Sequence, residues 1–285
     1  WNTVGRYCEK HKEQIPTLRR ALSAGAPVPP HVMRRVRGLM HPEGEMYTPY
    51  GATEALPVAS NSATEVLEET ESASRQGAGT CVGRRFDGIE WRVIEIDDGP
   101  LVRLEDTNPV SPGAIGELIV KGPVVTSKYV TRTDANALHK IVDPAGGFWH
   151  RMGDLGYLDE HDRFWFCGRK SHRLETSGGT MFTLPCEAIL NTHPAIYRSA
   201  LVGLGESSHQ VPVFVAEPWP EHWPNNSERR QRLVKELQSL ARKHDLTRSV
   251  EHVLLKRHLP VDIRHNSKIF REKLAPWAAN KLGVS

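Results

Sequence analysis

The sequence predicts a mixed fold, partly α/β and partly α+β, that is divided between two domains. Its 285 residues are enough for two domains, since domains usually have about 100–200 residues. Short β-rich runs separated by turns occupy residues 81–120, whereas helices and strands alternate after Gly168. Because the pattern changes at residues 168–171, we expect a first domain of residues 1–167 and a second of residues 168–285.

Composition excludes several classes of protein. Apolar residues make up 39% and charged residues 25%, as in globular proteins, and a formal net charge of +3 does not favour nucleic acid or an anionic membrane as the partner. No apolar run is long enough for a membrane span. The four cysteines lie far apart and form no CxxC pair, which predicts reduced thiols and a cytoplasmic location. Because the sequence begins with Trp1 and not Met, we expect it to be part of a longer chain.

The elements of the first domain follow from local patterns. The first forty residues predict two helices, of which the second begins after Pro29-Pro30. The polar stretch from Asn61 to Gly79 predicts a loop. The runs IEWRVIEI and GELIVKG, set apart by Asp, Gly and Pro turns, predict a small antiparallel sheet or barrel. A tighter hairpin follows, in which EHDR forms the turn.

The second domain is predicted to alternate between helices and strands. The run PCEAILNTH predicts a helix, and SALVGLG and VPVFVAE predict strands. After a linker rich in Pro and Trp, SERRQRLVKELQSLARKH has apolar residues at helical spacing, with Ser227 as the predicted N-cap. The strand VEHVLLKR and a terminal helix from about Lys268 complete this domain.

The run YGATE at residues 50–54 sets an aromatic ring, a Gly, a hydroxyl and a carboxylate within five residues. Such a run predicts a turn where the backbone can approach a flat, charged ligand; a surface loop after a strand is the alternative. Four other runs accompany it: SAGAP at 23–27, GELIVKGP at 116–123, the run from His150 to Lys170, and PVDIRHNSKIFREKL near the end. Each run by itself is compatible with a turn or a solvated face.

In this order and at these intervals the five runs resemble those of the adenylate-forming superfamily, which includes acyl-CoA synthetases, luciferases and adenylation domains of nonribosomal peptide synthetases. The resemblance extends from Ser23 to Leu274 and corresponds to the C-terminal half of a family member. It implies the C-terminal part of a large αβ domain with a small β-barrel subdomain, followed by a small mobile α+β domain. The phosphate loop of the family would lie before Trp1, so we expect this fragment alone to be inactive.

The resemblance also implies which residues contact ATP. Gly25 and Ala26 would line the adenine through their backbone, and Tyr50 would stack on the purine beside the flexible Gly51. Asp154 would accept hydrogen bonds from both ribose hydroxyls, which suits a carboxylate with two acceptor oxygens. Arg169, which lies in the GRK turn, would contact the ribose or a phosphate.

Three further residues are implied to act in catalysis. Thr53 would contact the phosphates, Glu54 would hold Mg²⁺, and Lys268 would place its ammonium on the carboxylate and α-phosphate oxygens. These cations are needed because attack of a carboxylate on the α-phosphate brings two anions together. Plainer alternatives are a turn cap for Glu54, an Asx turn for Asp154, a solvated hairpin end for Arg169 and no particular role for Lys268.

The sequence departs from the usual family pattern just past the domain boundary. Ser171 occupies a hinge position that is usually Asp or Lys, Glu175 stands where a Lys is expected, and the loop GGTMFTL is longer than usual. In thioester-forming relatives this loop lines the channel for the pantetheine arm. The departures therefore leave CoA uncertain as the acyl acceptor.

The same run, LETSGGTMFTLPCEAI, together with DIRHNSKIF, resembles the β-lactone synthetases of bacterial long-chain olefin biosynthesis. This resemblance implies activation of a 3-hydroxy fatty acid by ATP, release of pyrophosphate, and closure of the hydroxyl on the activated carbonyl. Holding the two groups together supplies the proximity that a strained ring requires. Partner enzymes of a lipid or olefin pathway are compatible with it. The alternatives are a fatty acyl-CoA ligase and a non-catalytic nucleotide-binding fragment.

Overall fold

The computed structural model describes residues 1–262 and 268–284. The chain separates into two compact units, and each is described by itself. The first unit contains Trp1–Ser72 and Thr80–Phe166, and the second contains Ala73–Gly79 and Cys167–Ser285.

A single large sheet dominates the first unit. Its strands are β1 Arg20–Leu22, β2 Glu45–Ala52, β3 Ala55–Ser62, β4 Thr80–Arg85, β5 Glu90–Ile94, β6 Gly116–Lys121, β7 Lys140–Val142, β8 Phe148–Leu158 and β9 Arg163–Arg169. They pair in the order β1-β2-β3-β4-β9-β8-β6-β5, and β7 adds to β8. The two runs predicted as a small antiparallel sheet or barrel contain β5 and β6. Among the strands described, the pairing closes no barrel, so these runs are part of an open sheet.

The two predicted N-terminal helices are confirmed as α1 Asn2–His11 and α2 Pro30–Leu39. Pro30 stands in the first turn of α2, where its missing N–H would have no intrahelical partner. The buried residues of α2 recur at helical spacing and pack against Met46 of β2. This packing holds β2 in place near the start of the YGATE run.

The stretch predicted as a loop between Asn61 and Gly79 is helical, so that prediction is wrong. It consists of α3 Ala63–Glu65, a π-helical turn Val66–Thr70, α4 Glu71–Ala73 and a second π-helical turn Ser74–Ala78. A capping box starts it: the Ser62 hydroxyl accepts a hydrogen bond from the Glu65 N–H over 3.1 Å, and the Glu65 carboxylate accepts one from the Ser62 N–H over 2.9 Å. The polar composition concealed this start signal. A further short helix of the first unit is α5 Ala135–His139.

The second unit contains a three-stranded sheet and a small hairpin, and its predicted helices and strands are confirmed. The hairpin is β10 Leu174–Thr176 and β11 Gly179–Met181, the sheet is β12 Ile196–Leu204, β13 Val211–Pro218 and β14 His252–Leu255, and the helices are α6 Thr183–Leu190, α7 Ser227–Arg242 and α8 Arg271–Leu282. The N-cap of α7 is Asn226 and not the predicted Ser227, because the Asn226 side chain accepts a hydrogen bond from the Arg229 N–H over 2.8 Å.

Alternation along β12 explains how the helices cover this sheet. Leu201 lies on one face of the sheet and packs with α6 and α7. Ala200 and Val202, on either side of it in the sequence, lie on the other face and pack with α8. The buried Glu187 of α6 forms an ion pair with Arg271 of α8 over 2.6 Å. In the described part of the chain, no helix has the length and apolar character needed to cross a membrane.

Candidate active site

The SAGAP turn lies beside the strand that carries YGATE. β1 and β2 are parallel, with Leu22 paired to Tyr47, and the N–H of Ser23 donates to the carbonyl of Tyr47 over 3.0 Å. Gly25 has a φ of 95°, which strongly favours glycine. Because the turn follows the carboxyl end of a parallel strand, it occupies the edge where α/β folds bind ligands.

Only the last two residues of YGATE form a turn. Tyr50, Gly51 and Ala52 end strand β2, and the exposed Thr53 and half-buried Glu54 connect it to β3. A side chain at Gly51 would place its Cβ 2.4 Å from the carbonyl oxygen of Ala55, which is too close for any other residue type without a shift of backbone. The glycine is therefore required by the close approach of two strands.

Asp154 lies on a bulge inside β8, and not at a turn as predicted. Glu117 of β6 pairs with Leu155, and Ile119 pairs with Arg151, so three residues of β8 face a single residue of β6. Gly153 has a φ of 64°, which permits this irregularity. Asp154 itself is buried, with 4% of its surface exposed. Bulges of this kind redirect side chains next to active sites.

The structure brings Tyr50 and Asp154 together across the sheet. The Tyr50 hydroxyl donates a hydrogen bond to Oδ2 of Asp154 over 2.6 Å. The Tyr50 ring lies with its centroid 6.0 Å from that of Phe164 and 6.3 Å from that of Phe166. The aromatic contacts hold the ring, and the ring in turn orients the carboxylate. Stacking of Tyr50 on a purine stays a prediction.

Glu54 is held by a residue that no motif of the sequence singles out. The Tyr129 hydroxyl donates a hydrogen bond to Oε1 of Glu54 over 2.8 Å. Burial acts to raise the pKa of Glu54, but the hydrogen bonds from Tyr129 and from the backbone, together with the charge of Lys140, outweigh burial and lower the pKa. Burial, with the adjacent Glu54 carboxylate, raises the pKa of Tyr129 to about 12. The carboxylate is therefore ionised and the phenol protonated at neutral pH.

Three further residues complete what we call the Glu54 cluster: Glu54, Thr126, Tyr129, Lys140 and His150. The Thr126 N–H donates to the carbonyl of Glu54 over 2.8 Å, and the buried Lys140 donates to the Thr126 carbonyl and, over 3.1 Å, to its hydroxyl. His150 is the cross-strand partner of Lys140 in the β7–β8 pair. Burial, with the charge of Lys140, lowers the pKa of His150 to about 4.

Sequence reasoning missed most of this cluster. The available signal was the polar pair His150-Arg151 in the middle of an otherwise apolar strand, FWHRM. Both side chains are buried, and Arg151 pairs with Glu117 over 2.6 Å and donates to the carbonyl of Leu138 over 3.3 Å. Buried polar groups in a strand indicate a network with partners elsewhere in the chain.

Arg169 and Lys268 belong to the second unit, and both are exposed. Lys268 precedes α8 and is not at its start: its carbonyl accepts from the Asp262 N–H over 2.9 Å. Burial, followed by the charges of Arg271 and Arg169 and more weakly that of Lys268, lowers the pKa of His172 to about 4. The charges of Arg169 and Lys268 thus both favour the neutral form of His172. Residues 263–267 of the run PVDIRHNSKIFREKL lie outside the described residues.

Glu175, which replaces a Lys of the family pattern, is held within the β10–β11 hairpin. Its carboxylate accepts hydrogen bonds from Nε of Arg173 and from the Thr180 hydroxyl, each over 2.7 Å. Its backbone N–H donates to the side-chain oxygen of Gln210 over 3.0 Å. The acid therefore has structural partners within the second unit.

A magnesium ion fits the residues around Glu54. Among the described residues, no group of three or more His, Cys, Asp or Glu side chains is arranged to hold a metal ion. Magnesium, however, is usually bound through one or two carboxylates together with substrate phosphates. A single ionised carboxylate on a two-residue turn is consistent with that mode of binding.

Comparison with known proteins relates the chain to AMP-binding enzymes. Residues 2–130 match the family described as AMP-binding enzyme. The O-succinylbenzoate coenzyme A synthetase MenE of Bacillus subtilis, solved in complex with ATP and magnesium ion, has the same fold, with a TM-score of 0.69 at 21% identity over 95% of this chain and 50% of that one. The amide bond synthetase McbA of Marinactinospora thermotolerans also has a TM-score of 0.69, at 22% identity over 92% of this chain and 47% of that one. The chain therefore resembles AMP-binding enzymes in the sequence of residues 2–130 and has the fold of MenE and McbA.

The chain is also similar, along nearly its whole length, to two bacterial enzymes. It is 43% identical to the olefin beta-lactone synthetase of Stenotrophomonas maltophilia over 97% of its length and 50% of that protein. It is 40% identical to the olefin beta-lactone synthetase of Xanthomonas campestris pv. campestris, again over 97% of its length and 50% of that protein. The chain thus spans about half the length of these curated relatives.

Proposed function

We propose that the full-length protein containing this chain converts a long-chain 3-hydroxy fatty acid into a β-lactone. In the first step a carboxylate oxygen attacks the α-phosphorus of ATP, and pyrophosphate leaves. In the second step the 3-hydroxyl oxygen attacks the acyl carbonyl carbon, its proton passes to a base or to solvent, and AMP leaves. The observation that carries the proposal is the identity of 43% to an olefin beta-lactone synthetase over 97% of the chain.

The first unit supplies residues suited to binding ATP. Asp154 would accept hydrogen bonds from the ribose hydroxyls, since a carboxylate has about four acceptor sites and Tyr50 uses one on Oδ2. Gly25 and Ala26 would lie against the adenine, and Tyr50 would contact it with its ring. Gly51 would permit the close approach of the backbone.

The phosphates would be bound at the turn between β2 and β3. The Thr53 hydroxyl, which is exposed, would contact them, and Glu54 would hold the Mg²⁺ that accompanies ATP. When bound, the ion would neutralise phosphate charge during displacement of pyrophosphate. Lys268 would supply an ammonium group to the same oxygens, and Arg169 a guanidinium group to the ribose or a phosphate.

We further propose a large domain that ends at residue 167 and a small domain of residues 168–285 in a cytoplasmic enzyme. The cysteines at 8, 81, 167 and 186 are all free and buried, which supports a reducing compartment. The enzyme would work with other enzymes of lipid or olefin synthesis, which would supply the hydroxy acid and consume the lactone.

A fatty acyl-CoA ligase is the second candidate function, because it shares the adenylation step. The observation against it is the position of Glu175: it stands where thioester-forming relatives are expected to have a Lys, and it is bound to Arg173 and Thr180. A non-catalytic nucleotide-binding fragment is a further alternative. The presence of Thr53, Glu54, Asp154 and Lys268 together disfavours it.

The decisive experiment gives the full-length enzyme ATP, Mg²⁺ and a long-chain 3-hydroxy fatty acid without CoA, with lactone detected by mass spectrometry. The same fatty acid without its hydroxyl is the matched control, which should form an adenylate that hydroxylamine can trap but no lactone. If the hydroxy acid yields a thioester on addition of CoA and no lactone in its absence, the ligase alternative is correct. The 285-residue chain alone should release no pyrophosphate.

A further inference from the structure

The Glu54 carboxylate is oriented by a side chain 75 positions further along the sequence. The Tyr129 hydroxyl donates to Oε1 over 2.8 Å and so fixes one of the two carboxylate oxygens of Glu54. The backbone of Tyr129 is fixed in turn, because its N–H donates to the side-chain oxygen of Asn136 over 2.7 Å and its carbonyl accepts from the Asn136 amide over 3.3 Å. The two hydrogen bonds to Asn136 thus fix the backbone from which the Tyr129 hydroxyl extends to Glu54.

Lys140 stabilises the same arrangement through the backbone. Its ammonium group donates to the carbonyl and hydroxyl of Thr126, and the Thr126 N–H donates to the carbonyl of Glu54 over 2.8 Å. The ammonium also lies 5.7 Å from the centre of the Tyr129 ring, within the range of a cation–π contact. Lys140 is 6% exposed, and a lysine this buried is rare unless its ammonium group has partners, which Thr126 supplies here.

The position of Lys140 is itself determined by the sheet. It begins β7 and pairs with His150 of β8. Two residues earlier, the carbonyl of Leu138 accepts a hydrogen bond from the buried Arg151 over 3.3 Å. A flexible side chain on a rigid strand can hold a loop in place without contacting the ligand of that loop. Here the loop is the two-residue turn that carries Glu54.

We propose that Tyr129 and Lys140 are positioning residues that set the direction of the Glu54 carboxylate for the magnesium ion bound with ATP. The inference rests on the proposed role of Glu54 as the carboxylate that holds this ion. Tyr129 acts on the side chain of Glu54 and Lys140 acts on its backbone through Thr126. Partners that orient metal-binding side chains typically change metal affinity by about 10–100-fold when they are removed.

The test uses Tyr129→Phe and Lys140→Met in the full-length enzyme. The first readout is binding of Mn²⁺, a paramagnetic substitute for Mg²⁺, to enzyme saturated with a non-hydrolysable ATP analogue, with free Mn²⁺ counted by electron paramagnetic resonance. The second is the Mg²⁺ concentration that gives half-maximal pyrophosphate release. We expect each variant to weaken Mn²⁺ binding about tenfold or more and to raise the Mg²⁺ requirement by a similar factor. At saturating Mg²⁺ most of kcat should return.

Matched controls separate positioning from general damage. Tyr7→Phe and Lys128→Met remove the same groups at exposed positions and should change neither readout. Lys140→Arg keeps the charge and the donors and should recover part of the Mn²⁺ affinity, whereas thermal unfolding reports the folding of every variant. If Mn²⁺ affinity is unchanged, or kcat falls with no change in the Mg²⁺ requirement, the inference is wrong. If the wild type binds Mn²⁺ with the analogue but releases no pyrophosphate, the proposed function fails while the Mn²⁺ comparison still decides the inference.

Discussion

The hydroxyl of Tyr50 donates a hydrogen bond of 2.6 Å to Oδ2 of Asp154, and the two residues are 104 positions apart in the sequence. The contact joins the end of β2 to the bulge of β8. It means that a ribose bound by Asp154 would meet a carboxylate whose orientation is already fixed. In the proposed nucleotide site Tyr50 would therefore act in two ways, through its ring and through its hydroxyl.

Substitution at these two positions distinguishes the two contributions. Tyr50→Phe keeps the ring and removes the donor, so we expect weaker AMP binding by the full-length enzyme, by less than Asp154→Ala. Asp154→Ala should weaken binding about 10–100-fold, since hydrogen bonds to a charged group contribute about 1.5–3 kcal/mol. The double variant should bind about as weakly as Asp154→Ala alone, because the hydroxyl acts through the carboxylate. Calorimetric titration measures all three, and additive losses would show that the Tyr50 hydroxyl acts independently of Asp154.

Gly51→Ala should destabilise the enzyme by about 1–3 kcal/mol and weaken ATP binding, because the new Cβ would lie 2.4 Å from the carbonyl oxygen of Ala55. Gly38→Ala provides the matched control. Gly38 lies in α2, and a Cβ added there would meet no atom within 4 Å, so alanine should stabilise by about 0.5–1 kcal/mol. Urea unfolding compares the two. Equal effects at both positions would contradict the required close approach at Gly51.

Lys268→Ala in the full-length enzyme should lower the rate of adenylate formation about 100-fold or more and leave the Kd for ATP nearly unchanged. The reason is that the ammonium group would bind charge that develops during displacement at the α-phosphorus. Lys281→Ala, in the last turn of α8, removes an exposed ammonium group from the same unit and should change neither quantity. Single-turnover kinetics with separate ATP titrations measure both. A large loss of ATP affinity with a normal chemical step would refute the assignment.

Acid should destabilise the first unit through His150. Burial is the main cause that lowers the pKa of His150 from the usual 6.5 to about 4. Between pH 4 and pH 6.5 this histidine is therefore protonated in the unfolded chain and neutral in the folded one. Above pH 6.5 the neutral His150 therefore makes its full contribution to the free energy of unfolding. This contribution, up to about 3 kcal/mol, is lost as the pH falls towards 4. His150→Gln should lose less stability between pH 7 and pH 4.5. Parallel urea titrations at both pH values test this, and identical pH dependence of the two proteins would exclude it.

Local patterns are sufficient to predict some parts of the structure and not others. Pro30 and the apolar spacing after it define α2, and the alternation around Leu201 defines a strand covered on both faces. The helical segment after Ser62 escapes prediction because its polar residues suggest a loop, although Ser62 and Glu65 have the spacing of a capping box. At this position the capping residues are the better guide, and the polar composition is misleading.

In the candidate site, too, local sequence patterns predict some residues and not others. Asp154 and the YGATE run stand out because small residues and carboxylates occur together in a short stretch. The bond between Tyr129 and Glu54 could not be predicted in this way, since it depends on how the segment after β6 returns to the turn after β2. Pairing over such a sequence distance is a property of the folded sheet. Lys140 resembles any other basic residue in the sequence, and only its burial in the folded chain distinguishes it.

The seven residues Ala73–Gly79 group with the second unit although both of their flanks belong to the first. The Cα of Gly77 is so closely packed that an added Cβ would lie 2.7 Å from Leu246 and 3.4 Å from Ile189. A C-terminal fragment that begins at residue 167 would lack residues 73–79 and would expose apolar surface on α6. To express the small domain separately, residues 73–79 should therefore be fused to it, or the apolar residues that they cover, such as Ile189 and Leu246, should be replaced by polar ones.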